Sequence, residues 1–261
     1  MYPAALIFNA DGTISETDEI HRRAFNLSFR DFDLGWHWSH AIYVRMIDTL
    51  TSQGKIMTFV QKYRPEEAFK LEDGALLKSL IEQKNERYLD LIDSGSASLR
   101  PGVSRLMQEA QNAGVKLAIA SLSGRRDFEI VLQNHFGIGA LANFEAITTV
   151  EDIDSTDDPR RNMSRIYKKT LEKLNVSAPN CFAIEAREPG TDAARDLNFN
   201  VIATPGLYTS SGRFKAADLV LSDLGHPAAP FQIIRGQAGA HHFVSVEALK
   251  SWTNQVTGAA A

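Results

Sequence analysis

The 261-residue chain lacks the features that would mark it as a secreted or membrane-spanning protein. It contains one cysteine, Cys181, so an intrachain disulfide is excluded and a reducing compartment is expected. Its longest apolar runs, at residues 4–8 and 117–120, are far too short to cross a bilayer, and no signal-peptide pattern opens the sequence. We therefore predict a cytoplasmic protein, or one of an organelle stroma if a transit peptide has been removed, with no membrane partner.

The chain also lacks an excess of basic charge. Its 28 lysines and arginines are interspersed with 32 acidic residues, which gives a formal net charge of −4 at pH 7. Because no basic stripe stands out, we expect no nucleic-acid partner. Hydrophobic residues, in contrast, make up 44% of the chain, which is ample for the core of one large domain or two smaller ones.

Hydrophobic periodicity divides the chain into two kinds of segment. Residues 4–8 form a short apolar run that ends in turn residues, as a buried strand does. The pattern is then helical to about residue 93, with helices predicted over 45–63 and 74–92. After a Ser- and Gly-rich linker, short apolar strands alternate with helices as far as residues 219–221. We predict an α/β fold, with a Rossmann-like parallel sheet core of residues 1–14 and 97–261 and a helical cap domain of residues 15–96 inserted after strand 1.

Polar side chains follow several of the predicted strands. In open α/β sheets, ligands bind at the carboxyl ends of the strands, so these positions are candidates for a site. Each residue taken alone is more typical of an ordinary turn, but their order on one scaffold is more specific. The candidates are Asn9 and Asp11 after the first strand, Ser121 after the second, Arg161 before a helix, and Glu185 with Ala186 after a later strand.

Asn9, Asp11, Ser121 and Glu185 lie within phrases that resemble the haloacid dehalogenase (HAD) phosphatases that carry a helical cap. The phrases are residues 6–13 (LIFNADGT), 21–26 (HRRAFN), 99–103 (LRPGV), 117–121 (LAIAS), 182–185 (FAIE) and 204–209 (TPGLYT). Within that family the chain is most similar to the CbbY-type sugar-bisphosphate phosphatases, such as xylulose bisphosphate phosphatase, and more distantly to β-phosphoglucomutase. The resemblance extends to about residue 224.

The resemblance implies a chemistry whose central groups are replaced in this chain. The family uses a nucleophilic aspartate and, two positions later, an aspartate that acts as general acid/base. Here the second is Asp11, but Asn9 occupies the nucleophile position and has no anionic oxygen. The family also binds Mg²⁺ through the nucleophile and the aspartate of a Glu-Asp pair, which is Glu185-Ala186 here, with Arg187 next. We expect no cofactor, and Mg²⁺ bound at most weakly with Glu185 as the residual ligand.

Other positions of the resemblance point to anion binding. Ser121 matches the phosphate-binding hydroxyl of the family. The family lysine falls at Arg161, unless Lys168 or Lys169 serves instead. His21 either faces the cleft, as a ligand-binding residue, or is an ordinary imidazole on the surface of a helix.

Three functions remain open on the sequence alone. The favoured hypothesis is a catalytically inactive HAD homologue, a pseudophosphatase, that binds a phosphorylated small molecule, an inorganic anion or a protein partner, with Arg187 replacing Mg²⁺ electrostatically. The second is a Mg²⁺-dependent phosphatase with weak or altered activity on a sugar phosphate. The third is a structural or regulatory protein whose cleft is vestigial, because Arg187 pairs with Glu185 or Asp11 and fills it.

An engineered aspartate-to-asparagine change would account for Asn9 alone. It would not account for Ala186, for Arg187, or for residues 51–55, where the charge pattern of the family's Gly-Gly-Lys-Glu-Arg substrate loop is largely absent. Because several independent positions have changed, an active phosphatase is the disfavoured hypothesis.

Overall fold

The chain forms two compact units. The computed structural model describes residues 2–47 and 51–258, with side chains described as far as residue 253. The core unit consists of Met1–Glu16 and Ser98–Ala261, and the helical unit consists of Thr17–Ala97. None of the helices in the described part of the chain combines the length and apolar character that a bilayer crossing requires.

The core unit is built on a seven-stranded sheet, which confirms the predicted α/β fold. The strands are β1 (Ala5–Phe8), β2 (Lys116–Ser121), β3 (Ala146–Thr149), β4 (Cys181–Glu185), β5 (Asn200–Ala203), β6 (Leu219–Leu221) and β7 (Ile233–Arg235). Their order is β3-β2-β1-β4-β5-β6-β7, and only β7 is antiparallel to its neighbour. The sequence did not predict β7, because this edge strand is three residues long and exposed throughout.

The helical unit contains the helices α1 (Asp18–Asp31), α2 (His40–Val44), α3 (Ser52–Tyr63) and α4 (Ala75–Leu91). The core unit contains the helices α5 (Val103–Asn112), α6 (Arg125–Phe136), α7 (Pro159–Leu174), α8 (Glu188–Asp196) and α9 (Val246–Gly258). The helix predicted over residues 45–63 is wrong at its start, because α3 begins only at Ser52, where the Thr51 hydroxyl accepts the Gly54 N–H. Residues 48–50 of that prediction lie outside the described residues.

Both faces of the core sheet are covered, as the alternation of side chains along a strand requires. On β1, Ala5 and Ile7 pack into one apolar cluster with residues of α7 and α8. Leu6 and Phe8 face the opposite side and pack with residues of α5, α6 and α9. Because β1 is buried on both faces and lies between β2 and β4, the loop that follows it has a fixed starting point.

Candidate functional site

The carboxyl ends of β1, β2 and β4 bring the predicted site positions to one edge of the core sheet. Phe8, the last residue of β1, pairs with Ile119 on one side and with Ile184 on the other. The N–H of Asn9 then donates to the carbonyl oxygen of Ile184 at 2.9 Å. The loop after β1 therefore begins beside the residues that follow the other two strands.

Asn9 is 5% exposed, and both ends of its side-chain amide have partners. The Oδ1 atom accepts a hydrogen bond from the Ala10 N–H at 2.9 Å. The Nδ2 group donates to the main-chain carbonyl oxygen of Asp11 at 3.2 Å. A carboxylate at this position could make the first contact but not the second, since it has no N–H to donate.

Asp11 is tied to the loop after β2 by a residue that the sequence analysis did not identify. The Ser123 hydroxyl donates to the Asp11 carboxylate, and the Ser123 N–H donates to the Ser121 hydroxyl oxygen at 3.1 Å. Ser123 thus connects two of the predicted site residues. No motif marks it, because its role depends on how the loop after β2 folds back toward β1.

Ala186 contacts the loop after β1 through Gly12. Gly12 has a φ of +76°, in the left-handed region, and a Cβ built on it would lie 2.9 Å from the Cβ of Ala186. The position that follows Glu185 is therefore adjacent to the loop that carries Asn9 and Asp11. It contributes a methyl group there and no oxygen.

The Glu185 carboxylate is 1% exposed and lies between α7 and α8. Its Oε1 accepts a hydrogen bond from the Tyr167 hydroxyl at 2.6 Å, and its Oε2 accepts the Ala186 N–H at 3.2 Å. It packs closely over α8, where a Cβ on Gly190 would lie 2.2 Å from Oε1. Burial raises the pKa of Glu185 to about 7, against the opposing effects of the Tyr167 hydrogen bond, nearby main-chain N–H groups and the charge of Arg187.

This raised pKa of Glu185 predicts a pH-dependent stability. The Glu185 carboxyl group binds its proton more tightly in the folded protein than in the unfolded chain, where its pKa is about 4.5. Binding of this proton therefore raises the free energy of unfolding, and the contribution is fully present below pH 4.5. That contribution is lost progressively as the pH rises to about 7, and it amounts to about 3 kcal/mol. In Glu185→Gln the amide can still pair with Tyr167 and the Ala186 N–H. We expect its unfolding free energy, relative to the parent, to be higher at pH 8 than at pH 4.5 by about this amount.

Urea denaturation of both proteins at the two pH values measures this difference, and groups common to both proteins cancel. Glu172→Gln, an exposed change on α7, is the matched control for the substitution itself. A difference between parent and Glu185→Gln that is the same at pH 4.5 and pH 8 would contradict the prediction.

The three remaining predicted residues have different surroundings. Arg187 occupies the N-cap position of α8, without a capping hydrogen bond from its side chain, and is half-buried beside Glu185. Arg161 does not precede a helix as predicted: it lies in the first turn of α7, which begins at Pro159, and is exposed. Its N–H binds the capping carboxylate of Asp158 at 3.1 Å. The His21 ring stacks on the Tyr88 ring within the helical unit, with 4.1 Å between centroids, so it is not a free surface imidazole.

Lys55, in the segment expected to match the family's substrate loop, is buried in the helical unit. Its ammonium group donates to the carbonyl oxygens of Met46 at 2.9 Å and Ile47 at 3.2 Å, and it lies 5.8 Å from the centroid of the Tyr43 ring. The one charge retained in residues 51–55 therefore stabilises the fold of this unit.

The residues at this sheet edge do not fit the Mg²⁺ ion that the family resemblance implies. Mg²⁺ requires several hard oxygen ligands in octahedral geometry. Asn9 directs an N–H toward the carbonyl oxygen of Asp11, Ala186 offers a methyl group, and Glu185 binds Tyr167 and main-chain N–H groups. Within residues 2–47 and 51–253, no three His, Cys, Asp or Glu side chains come together in a way that could hold a metal ion.

Arg100 joins the loops of the core unit and was not singled out as a site residue. It is 8% exposed and donates to the main-chain carbonyl oxygens of four residues. These are Gly12, Thr204 at 2.9 Å, Pro205 at 3.2 Å and Ser222 at 2.6 Å. It also pairs with the Glu16 carboxylate at 2.9 Å. The loop after β1 is thus held against the loops after β5 and β6 by one guanidinium.

Comparison with known proteins places this geometry in a family. A sequence profile described as haloacid dehalogenase-like hydrolase matches residues 6–204. The plasmid-encoded protein CbbY of Cupriavidus necator is 32% identical over 249 residues, which cover 95% of this chain and 96% of that protein. CbbY of Rhodobacter capsulatus is 32% identical over 86% of this chain and 95% of its own length.

Solved structures give the same result. Crystalline CbbY from Rhodobacter sphaeroides, a mutant with asparagine in place of an aspartate and in complex with xylulose-1,5-bisphosphate, has a TM-score of 0.74. It is 29% identical, and the match covers 87% of this chain and 98% of that one. CbbY of the same organism in complex with phosphate has a TM-score of 0.73 at 29% identity, over 85% of this chain and 94% of that one. β-Phosphoglucomutase from Clostridium difficile shares the fold, with a TM-score of 0.69 at 20% identity over 98% of this chain and 99% of that one.

Proposed function

Because this chain belongs to the haloacid dehalogenase-like hydrolase family and is related to the CbbY phosphatases, we propose that it is a non-catalytic member whose core site binds a phosphorylated small molecule. The observation that carries the proposal is the hydrogen bond from the Asn9 amide to the carbonyl oxygen of Asp11. An amide whose N–H donates a hydrogen bond to that oxygen is not oriented as a nucleophile. It also repels a cation from the place where the family binds one.

The loss of the second carboxylate supports the same function. With Ala186 beside Gly12, neither of the two positions expected to hold Mg²⁺ carries a negative charge. Replacement of essential catalytic groups lowers kcat by about a thousandfold or more in other hydrolases. A working Mg²⁺-dependent phosphatase remains the alternative, and it requires metal binding by residues that do not fit the ion.

The charge balance of the site supports binding of an anion without a metal. Of the two carboxylates between β1 and α1, Asp11 accepts a hydrogen bond from the Ser123 hydroxyl and Glu16 pairs with Arg100. Glu185, with a pKa of about 7, is only partly ionised at neutral pH. Arg187 then supplies a positive charge for the anion, and Ser121 supplies a hydroxyl group. In an active phosphatase, Mg²⁺ offsets the charge of several carboxylates, whereas this site has fewer carboxylates to offset.

The CbbY relatives support phosphate as the ligand chemistry. One CbbY structure contains phosphate, and another, with an aspartate replaced by asparagine, contains a sugar bisphosphate. The second shows for that protein that such a replacement is compatible with binding of the bisphosphate. We extend this to our chain as a phosphorylated sugar or a related small molecule, rather than a protein partner.

Titration with inorganic phosphate in the presence of EDTA tests the proposal. Each charge-assisted contact contributes about 1.5–3 kcal/mol, so two or three contacts give micromolar to millimolar affinity once the entropic cost of association is subtracted. We expect calorimetry to detect saturable binding to the parent, and Arg187→Ala to weaken it at least about tenfold. Lys215→Ala, an exposed change in the core unit, removes one positive charge elsewhere and serves as the matched control.

Binding that is equal in the parent and in Arg187→Ala would contradict this function. It would favour the vestigial site, in which Arg187 serves only its neighbour Glu185. An absolute requirement of binding for Mg²⁺ would favour the alternative of a metal-dependent phosphatase.

A further inference from the structure

A separate concentration of positive charge lies in the helical unit. A cavity of about 570 Å³ is formed by α1 and the loop that follows it, and its lining residues all fall between positions 22 and 37. Three arginines line it, Arg22, Arg23 and Arg30, against a single carboxylate, that of Asp33. The lining therefore carries an excess of positive charge, although the net charge of the whole chain is −4.

The periodicity of α1 explains why the arginines converge. Arg23 and Arg30 are seven residues apart, which is close to two helical turns, so both project from the same face of α1. Leu27 lies between them and also lines the cavity. The Cα atoms of the two arginines are therefore about 10 Å apart along the helix axis, from a rise of 1.5 Å per residue, with the apolar side chain of Leu27 between them.

Two of these three arginines have N–H groups available to donate hydrogen bonds to a ligand. Arg22 is engaged, because it donates to the Glu19 carboxylate and, at 2.7 Å, to the carbonyl oxygen of Trp38. Arg23 is exposed and forms no hydrogen bond or ion pair in the described parts of the chain. The Arg30 side chain is 73% exposed, and its ion pair with Asp31 is long, at 3.9 Å. Arg23 and, apart from its long contact with Asp31, Arg30 therefore have N–H donors available for an incoming anion.

The opposite wall of the cavity is held in place by Trp36. Its ring is 3% exposed and packs against Phe29, while its indole N–H donates to the Glu67 carboxylate at 3.1 Å. The adjacent His37 is exposed and lines the cavity, and a Cβ on Gly35 would meet no atom within 4 Å. The cavity therefore has a fixed wall and open space.

We propose that this cavity is a binding site for a small anion that carries two or more phosphate groups. The planar guanidinium presents paired N–H donors that match phosphate oxygens, so Arg23 and Arg30 would each hold one phosphate group. A concave site suits a small ligand better than it suits the broad surface of a protein. The site is independent of the core site and does not depend on the proposed function.

Calorimetric titration of the full chain with inorganic pyrophosphate, in EDTA and at low ionic strength, tests the site. We expect saturable binding to the parent. Arg23→Gln with Arg30→Gln should weaken it about 100-fold, since two charge-assisted contacts are lost. The control pair Lys62→Gln with Lys78→Gln removes the same charge from exposed positions of the helical unit and should change affinity by less than about threefold.

A further variant gives an effect of opposite sign. Asp33→Asn removes the only carboxylate of the lining, and asparagine tolerates the left-handed φ of +51° at this position. We expect pyrophosphate to bind about threefold or more tightly to this variant. A purely structural role of the arginines would not produce this gain.

The results that would overturn the proposed anion site in the helical unit differ from those that would contradict anion binding at the core site. Pyrophosphate binding that survives in Arg187→Ala supports the cavity in the helical unit, and binding that is lost there places the anion in the core unit and overturns the proposal. An unchanged affinity in the double arginine variant would also overturn the proposal. So would a failure of the parent to bind pyrophosphate. Tighter binding of a hexaglutamate peptide than of pyrophosphate would also overturn it, in favour of an acidic protein segment.

Discussion

No hydrolysis of p-nitrophenyl phosphate or of a sugar phosphate is expected from the purified protein with Mg²⁺, beyond the rate of its own Asn9→Ala variant. With Rhodobacter sphaeroides CbbY assayed in parallel, we expect kcat/KM to be lower by at least about a thousandfold. The reason is the neutral amide of Asn9, which forms hydrogen bonds to Ala10 and Asp11 and offers no anionic oxygen to phosphorus. Saturable, Mg²⁺-dependent hydrolysis that is absent from Asn9→Ala would contradict the proposed function.

Restoring the two missing carboxylates tests whether their loss alone prevents Mg²⁺ binding or whether other residues also prevent it. Asn9→Asp with Ala186→Asp supplies both, and we expect calorimetry to detect Mg²⁺ binding that is tighter than that of the parent, with at most a trace of hydrolysis. Because the charge of Arg187 opposes a cation, adding Arg187→Ser should increase the Mg²⁺ affinity further. If the double variant binds Mg²⁺ no better than the parent, then positions 9 and 186 do not form one metal site.

Replacing Arg100 is expected to cause the largest loss of stability, about 3–5 kcal/mol for Arg100→Gln. The guanidinium satisfies carbonyl oxygens from three separate loops together with the Glu16 carboxylate. Glutamine can satisfy two of these acceptors at most, and the others stay buried without a donor. Burial lowers the pKa of Arg100, whereas the charges of Glu16 and Asp223 raise it.

Urea denaturation monitored by circular dichroism measures this loss. Arg160→Gln is the control, since Arg160 forms an exposed ion pair with Asp196, and such pairs contribute about 1 kcal/mol or less. If Arg100→Gln fails to fold, Glu16→Gln keeps an acceptor for the guanidinium while removing the charge, and we expect an intermediate loss of about 1–2 kcal/mol. A loss below about 1 kcal/mol in Arg100→Gln would show that the three loops are held by other contacts.

Much of the fold could be predicted from the sequence, because its signals are local. The six parallel strands are short apolar runs, most of them separated by helices, and such runs bounded by turn residues are typical of buried strands. The boundaries were less predictable. The sequence placed Arg161 before a helix, but α7 begins at Pro159, because Asp158 caps it and Pro159 fits its first turn. Arg161 therefore lies on an exposed helical turn.

The sequence by itself determined which chemical groups this protein has at the carboxyl edge of its sheet: an amide at Asn9, a methyl group at Ala186 and a guanidinium at Arg187. Only the tertiary structure decided what those groups contact. The Ser123 hydroxyl reaches Asp11 across 112 residues, Arg100 reaches Ser222 across 122, and the Tyr167 hydroxyl from α7 meets Glu185 at the end of β4. Such contacts have no local signature, because they depend on which strands become neighbours, and burial between two helices then sets the protonation of Glu185.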